Sequence, residues 1–256
     1  MTNAATSMSD TGRSTRTALA LAWTALGLAV ACGAGELLAG LGYRWNWWHF
    51  RTGIQIVRWS ASTDLAAVVL ALAAAILAWK YGARRALVAG AAGLALGLIV
   101  AGPPLYYWRT LDRVPRIHDI STDTDNPPRY VGVLTLRQSA ENPTDYSAEV
   151  AAQQKKAYPD IAPAMLDAAP AQAFARAERA ARAMGWEIVA VAPADLRIEA
   201  TDTTLLFGFK DDIVVRVTPS GNGSRVDVRS LSRVGKSDFG VNANRVRKYL
   251  QLVIGA

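Results

Sequence analysis

The stretch Asp211-Asp212-Ile213-Val214-Val215-Arg216-Val217, turned by Ser220-Gly221-Asn222-Gly223 into Arg225-Val226-Asp227-Val228-Arg229, decides the fold. Ile213, Val215 and Val217 alternate with Val214 and Arg216, and Val226 and Val228 alternate with Arg225, Asp227 and Arg229. That is the period-two pattern of an amphipathic β-hairpin. One apolar and one polar face predict an antiparallel sheet packed on one side and open to water on the other. Asp211 and Asp212 are neighbours on a strand, so their side chains leave on opposite faces, which argues against a carboxylate dyad.

Upstream, the alternation continues in Trp186, Ile188 and Ala190 against Glu187, Val189 and Val191. After a turn at Pro193 to Asp195 it resumes in Leu196, Ile198 and Ala200 against Arg197 and Glu199. Four strands are expected. Before them, Asp167-Ala168-Ala169-Pro170 opens a helix whose Phe174, Ala177, Ala181 and Met184 share one face, and Gly185 ends it. After them, residues 242–254 place Val246, Tyr249, Leu250 and Val253 on one face of a last helix. Two helices on one face of the sheet predict an α+β sandwich, with a topology similar to helix-grip and TBP-like modules. Residues 110–145 are rich in turn formers and read as an extended tether over the surface. A short helix over residues 146–157, stopped by Tyr158-Pro159, then begins a soluble domain expected over residues 146–256.

The first 109 residues are written for a different solvent. They hold nine Lys and Arg against three acids, Asp10, Glu36 and Asp64, whereas the remainder holds 19 bases against 18 acids. Most of the formal charge of +7 therefore resides at the front. Three apolar runs, residues 17–43, 54–79 and 86–108, each meet the roughly 20 residues needed to cross a hydrocarbon core. The third is expected to end at Gly102-Pro103-Pro104 and an interfacial Tyr106-Tyr107-Trp108. Gly27, Ala31 and Gly35, and again Ala89, Gly93 and Gly97, recur every four residues as small-residue stripes for helix packing. Glu36 and Asp64 lie inside these runs, where an ionisable group needs a partner, and Arg58 is the expected one for Asp64. The plainer alternative has Asp64 capping a shorter helix; a proton or ion path is the functional one. Arg13 and Arg16 in the tail of residues 1–16, with Lys80, Arg84 and Arg85, predict a cytoplasmic N-terminus and an extracytoplasmic C-terminal domain, against the opposing pull of Arg44 and Arg51. The single cysteine, Cys32, lies within the first run and offers neither disulfide nor thiolate metal cluster.

Polar residues concentrate after the hairpin, in Arg229-Ser230-Leu231-Ser232-Arg233-Val234-Gly235-Lys236-Ser237-Asp238-Phe239-Gly240-Val241-Asn242. Residues 217–256 hold seven bases against two acids. In a structural reading, Asp211, Asp212 and Asp227 pair with Arg229, Arg233 and Arg245 and pin the hairpin to the last helix, which Asp238 or Asn242 caps. In a functional reading, Arg229, Ser230, Ser232, Arg233, Lys236, Asp238, Asn242 and Arg245 receive an anionic ligand or partner beside a helix N-terminus. Catalysis has few parts. The C-terminal half holds one histidine, His118, no cysteine, no glycine-rich phosphate loop and no nucleophile elbow, and an enzyme would need Asp119, Asp123, Asp211 and Arg233 to converge in a cleft. His118, Asp119, Asp123 and Asp125 crowd one loop, but the glycine and closing Glu of a calcium hand are missing. Asx turns are the expected use, and no metal or cofactor is assigned. A near-neutral domain also lacks the basic surface that nucleic acid requires.

Ile117-His118-Asp119-Ile120-Ser121-Thr122-Asp123, Tyr158-Pro159-Asp160-Ile161, Gly208-Phe209-Lys210-Asp211-Asp212 and the run from Arg229 to Asn242 together resemble the DUF1499 family over most of residues 115–253. The resemblance implies an uncharacterised domain that follows an export signal or membrane spans, and it brings no established catalytic residues. Together the readings predict a non-enzymatic inner-membrane protein whose soluble domain binds an unknown envelope partner or anionic ligand at the polar turn. A lipid or hydrophobic-ligand carrier is the second expectation and a hydrolase the third.

Overall fold

The computed structural model describes residues 2–255 and, from residue 12 onward, their side chains; most side chains of the N-terminal tail thus lie outside the described residues. The chain divides into two compact units, Met1–Arg109 and Thr110–Ala256.

Three helices, α1 (Thr2–Arg44), α2 (Phe50–Lys80) and α3 (Arg84–Leu111), make the first unit. Each contains a run long and apolar enough to cross a membrane. Large apolar side chains such as Trp23, Val69, Ile76 and Ile99 point outward, and the inside is alanine and glycine. Ala18, Ala22, Ala25, Ala29, Cys32 and Ala39 are buried on α1, and Ala61, Ala67, Ala71, Ala74 and Ala78 on α2. Their heptad-like spacing lets the backbones approach. The stripe expected from Gly27, Ala31 and Gly35 is therefore displaced: Gly27 and Ala31 are exposed, because the alanine repeat already supplies the small face. On α3 the expected residues are buried. A Cβ on Gly93 would meet Leu26 N at 3.2 Å, and one on Gly97 would meet Val68 Cγ2 at 2.7 Å.

Two further expectations do not hold. Instead of stopping at Pro103 and Pro104, α3 carries both inside it, forgoing two N–H donors without breaking. Asp64 caps no helix, since α2 is continuous from Phe50, and Arg58 does not partner it. Six residues leave the two side chains about 120° apart around a helix. Arg58 is exposed, while both Asp64 carboxyl oxygens, like Glu36 Oε1, are buried with no hydrogen-bond partner among the described residues.

The second unit is built on six antiparallel strands: β1 (Asp119–Ser121), β2 (Ala164–Leu166), β3 (Glu187–Ala192), β4 (Arg197–Thr203), β5 (Lys210–Ser220) and β6 (Gly223–Ser232). Their order is β1-β6-β5-β4-β3, with β2 also on β6. Three helices, α4 (Ala148–Ala157), α5 (Pro170–Ala183) and α6 (Val241–Ile254), accompany them. The expected strands are β3 to β6; β1 and β2 are additions. They share the outer edge of β6, β1 along residues 229–231 and β2 along 224–226, and so cover an otherwise open edge. Segments of three residues are too short for a period to register. Gly223 answers to β2, since a Cβ there would lie 2.1 Å from Leu166 O. A bulge at Val189 also breaks the alternation read for β3. Ile188 pairs with Ala200 but Ala190 with Glu199, so Ala190 leaves the helix-covered face and meets Gly132.

One sheet face carries α5 and α6. Ile198, Ala200, Ile213, Val215, Val217, Val226 and Val228 form a core with Phe174, Ala177, Ala181, Val246 and Val253, and Trp186 stacks on Tyr249 at 5.1 Å between ring centroids. The other face is not open to water. The segment read as a surface tether crosses it, and Tyr130 and Val133, the latter in a 3-10 turn over Gly132–Leu136, pack on Val214 and Leu231. Tyr130 and Val133 come from the apolar run Tyr130-Val131-Gly132-Val133-Leu134, and their burial adds a third layer while Val131 and Leu134 stay exposed.

Candidate functional site

Covering the second face removes its polar residues from water, and a buried charge persists only if paired. Asp212 is fully buried. It accepts hydrogen bonds from the Thr201 hydroxyl at 2.8 Å, from Arg233 Nε and Nη2 at 2.9 and 2.8 Å, and from Arg137. Arg137 and Arg233 also donate to the carbonyls of Asn142 and Leu136, each at 2.8 Å. Arg229, 3% exposed, forms a two-bond fork with Asp119 at 3.0 and 2.6 Å and donates to the Pro128 and Thr144 carbonyls. Its guanidinium lies over the rings of Tyr130 and Tyr146. Glu199 accepts the consecutive backbone N–H groups of Val131, Gly132 and Val133 at 2.9 to 3.0 Å, together with Arg197. Asp227 is held by Arg216, Arg225 and the Thr122 hydroxyl, and Asp123 pairs with the same two arginines.

A separate network fills the helix side. Asp211 meets Arg245 at 2.7 Å, and Asp202 meets the same guanidinium at 2.9 Å. Ser230 donates to Asn242 Oδ1 at 2.6 Å, and Asn242 Nδ2 donates to Ser232 Oγ at 2.9 Å and to the His118 carbonyl at 3.1 Å. Arg245 donates to both Ser230 and Asn242. Gly240 is the N-cap of α6, and Asp238, two residues before it, accepts the N–H groups of Gly240 and of Asn242 in the first turn, both at 2.8 Å.

Burial and pairing move the titrations in opposite directions. Burial raises the Asp119 carboxyl against the hydrogen bond from Arg229, and raises Asp238 against its two backbone donors. It also holds Tyr130 well above the usual tyrosine range. Asp123 is lowered in spite of its desolvation, because the N–H of Asn126 and the charge of Arg225 favour the carboxylate.

The polar corner read from the sequence is thus split by the sheet. Ser230, Ser232, Asp238, Asn242 and Arg245 meet beneath the start of α6, while Arg229 and Arg233 join different carboxylates on the opposite face. Of the eight candidate residues, only Lys236 is exposed. Asp211 and Asp212 leave on opposite faces, toward Arg245 and Arg233. Asp227 pairs with Arg216 and Arg225, its strand neighbours, rather than with Arg229, Arg233 or Arg245. Asp119, Asp123, Asp211 and Arg233 do not converge, since each is engaged in a different pair. In the loop after β1, Asp123 Oδ1 accepts the N–H groups of Asp125 and Asn126 as an Asx turn.

Sequence reasoning missed Glu199, Arg137 and Tyr130. Glu199 alternates like any solvent-facing acid, and Arg137 sits in a segment without periodicity. The apolar run at 130–134 is the signal that something must lie beneath it. Among curated proteins none matches the chain. A family model described as a protein of unknown function, DUF1499, matches residues 119–253, more than half of the chain and the sheet with its three helices. The chain therefore belongs to the DUF1499 family.

Proposed function

We propose that this is a non-catalytic protein of the cell envelope. The apolar helices hold it in the inner membrane, and the α+β domain, on the extracytoplasmic side, binds an anionic envelope partner at the end of the sheet that carries Arg233 and Lys236. The distribution of charge supports this reading. The buried carboxylates Asp119, Glu199, Asp211, Asp212 and Asp227 are each occupied by arginines of the same domain, so they serve rigidity. Lys210 and Lys236 stand exposed at that end with Glu141 as the neighbouring acid, while Arg233 is taken up by Asp212. Cations on a rigid frame suit an anionic group on a partner. Arg13, Arg16, Lys80, Arg84 and Arg85 support the orientation. A carrier of hydrophobic ligands would need room between sheet and helices, and Phe174, Trp186, Val246 and Tyr249 are packed there.

Purification of the full chain from membranes, with mass spectrometry of bound lipids and proteins, tests the reading. A Lys210→Glu/Lys236→Glu variant should lose the anionic partner while keeping its thermal stability, since both side chains are exposed. Retention of every partner by that variant would refute the assignment. An alkaline phosphatase fused to the C-terminus should be active, and inactivity would place the domain in the cytoplasm.

A further inference from the structure

The loop between β4 and β5 is Thr204-Leu205-Leu206-Phe207-Gly208-Phe209. Hairpin tips in water are built from Gly, Asn, Asp, Ser and Pro, so four large apolar residues in six need a reason. Leu205 is 90% exposed, and Phe207 and Phe209 are half-buried, their rings stacked at 4.9 Å and 13°. The tip is also preformed. Thr204 N donates to Phe209 O at 2.9 Å, Gly208 N to Thr204 O at 3.0 Å and Phe209 N to Thr204 Oγ1 at 2.9 Å, while Gly208 takes the left-handed φ of 68°. An ordered loop that presents leucine to solvent is arranged for an apolar contact.

The same end of the sheet identifies the occupant. Thr203 pairs with Lys210, and Arg233 N donates to Lys210 O at 2.9 Å, so the tip lies beside the loop that carries Lys236. Asp238 N donates to Ile117 O at 3.2 Å, and a Cβ on Gly240 would lie 3.6 Å from Val114 Cγ1. The segment that follows α3 therefore joins the domain at this end. Two residues separate Leu111 from Val114, three Cα steps and so a reach of roughly 11 Å at most. Lys210 follows the tip directly, Lys236 stands exposed in the neighbouring loop, and Arg113 and Arg116 are exposed in the connecting segment, against Asp112, Glu141 and an Asp202 that is paired with Arg245. Apolar side chains beside exposed lysines, on a short leash from an apolar helix, match an anionic lipid surface.

We propose that the Leu205–Phe209 tip seats in the interface of the anionic phospholipid bilayer that carries the chain, with Lys210 and Lys236 on its headgroups. This deepens the functional proposal above and rests on its cationic end of the sheet, naming lipid phosphate as the anionic partner. The test uses the full chain in nanodiscs, with Cys32→Ala as background and an environment-sensitive fluorophore on Leu206→Cys. In phosphatidylglycerol-containing discs the emission should shift to the blue and be quenched by lipids carrying spin labels near the headgroup. In pure phosphatidylcholine discs the shift should shrink, and each of Lys210→Glu and Lys236→Glu should lower the docked fraction by roughly fivefold or more. Leu205→Ser, at a side chain 90% exposed, should sharply reduce the shift with the melting temperature unchanged. A label that stays in water in both discs overturns the proposal, as does one shielded only when two copies share a disc, which would indicate self-association. If the label stays in water while Lys236→Glu still strips a co-purifying anionic protein or glycan, the lipid assignment fails and the partner reading survives. If neither responds, both fail.

Discussion

Asp212 is the residue on which the second layer depends. It pairs with two guanidiniums, Arg137 and Arg233, from a position without solvent. Removing one side of a buried pair costs about 3–5 kcal/mol, because the other side stays buried and charged. Asp212→Ala should therefore reduce stability by that order in denaturant titration, while Lys236→Ala, at an exposed side chain, should stay within about 0.5 kcal/mol. Asp123 carries the pH prediction. Its folded pKa is depressed, so its contribution is present above the unfolded value and is lost as pH falls through the folded one, below about pH 4. Asp123→Asn should lower the neutral plateau of stability and flatten its acid limb in melts taken across pH. Asp119 and Asp238 act with the opposite sign, since burial raises both and acid then favours the folded state. That Asp211 and Asp212 point apart was legible from strand alternation alone. The partnership of Asp212 with Arg137 was not, because they are 75 positions apart in the chain and no local pattern carries such information.

Elements long enough to show a period were readable. The strands β3 to β6 and the helices α5 and α6 each repeat their apolar residues often enough to fix which face is buried. The three-residue β1 and β2 do not, nor does the 3-10 turn over Gly132–Leu136. Yet the two strands close the edge of β6 and the turn closes the second face of the sheet. Segment 110–145 supplies Asp119 to Arg229, three N–H groups to Glu199 and Arg137 to Asp212. A chain beginning at residue 146 keeps the four-strand hairpin array but leaves those charges without partners. It is expected to stay unfolded by circular dichroism and amide exchange. A native-like near-UV spectrum from residues 146–256 would show that the first segment is dispensable.

For the molecule as a whole, amino-acid composition by itself divides the chain in two. Three acids in the first 109 residues and 18 in the rest require different surroundings. The two units, Met1–Arg109 and Thr110–Ala256, follow that division. In the first, alanine and glycine face inward and large apolar residues outward, which suits lipid. In the second, apolar side chains fill one layer and matched ions the other, which suits water outside. Sequence patterning located the small inward face on α3 and misplaced it on α1, and the ionic layer looked like solvated surface, since a buried paired charge and an exposed one share the same letter. The most direct measurement is thermal denaturation of residues 110–256 expressed without the apolar helices. A soluble chain that melts in one cooperative, reversible transition is the predicted result. A chain that needs detergent to stay in solution, or that loses structure gradually with no transition, would contradict the account.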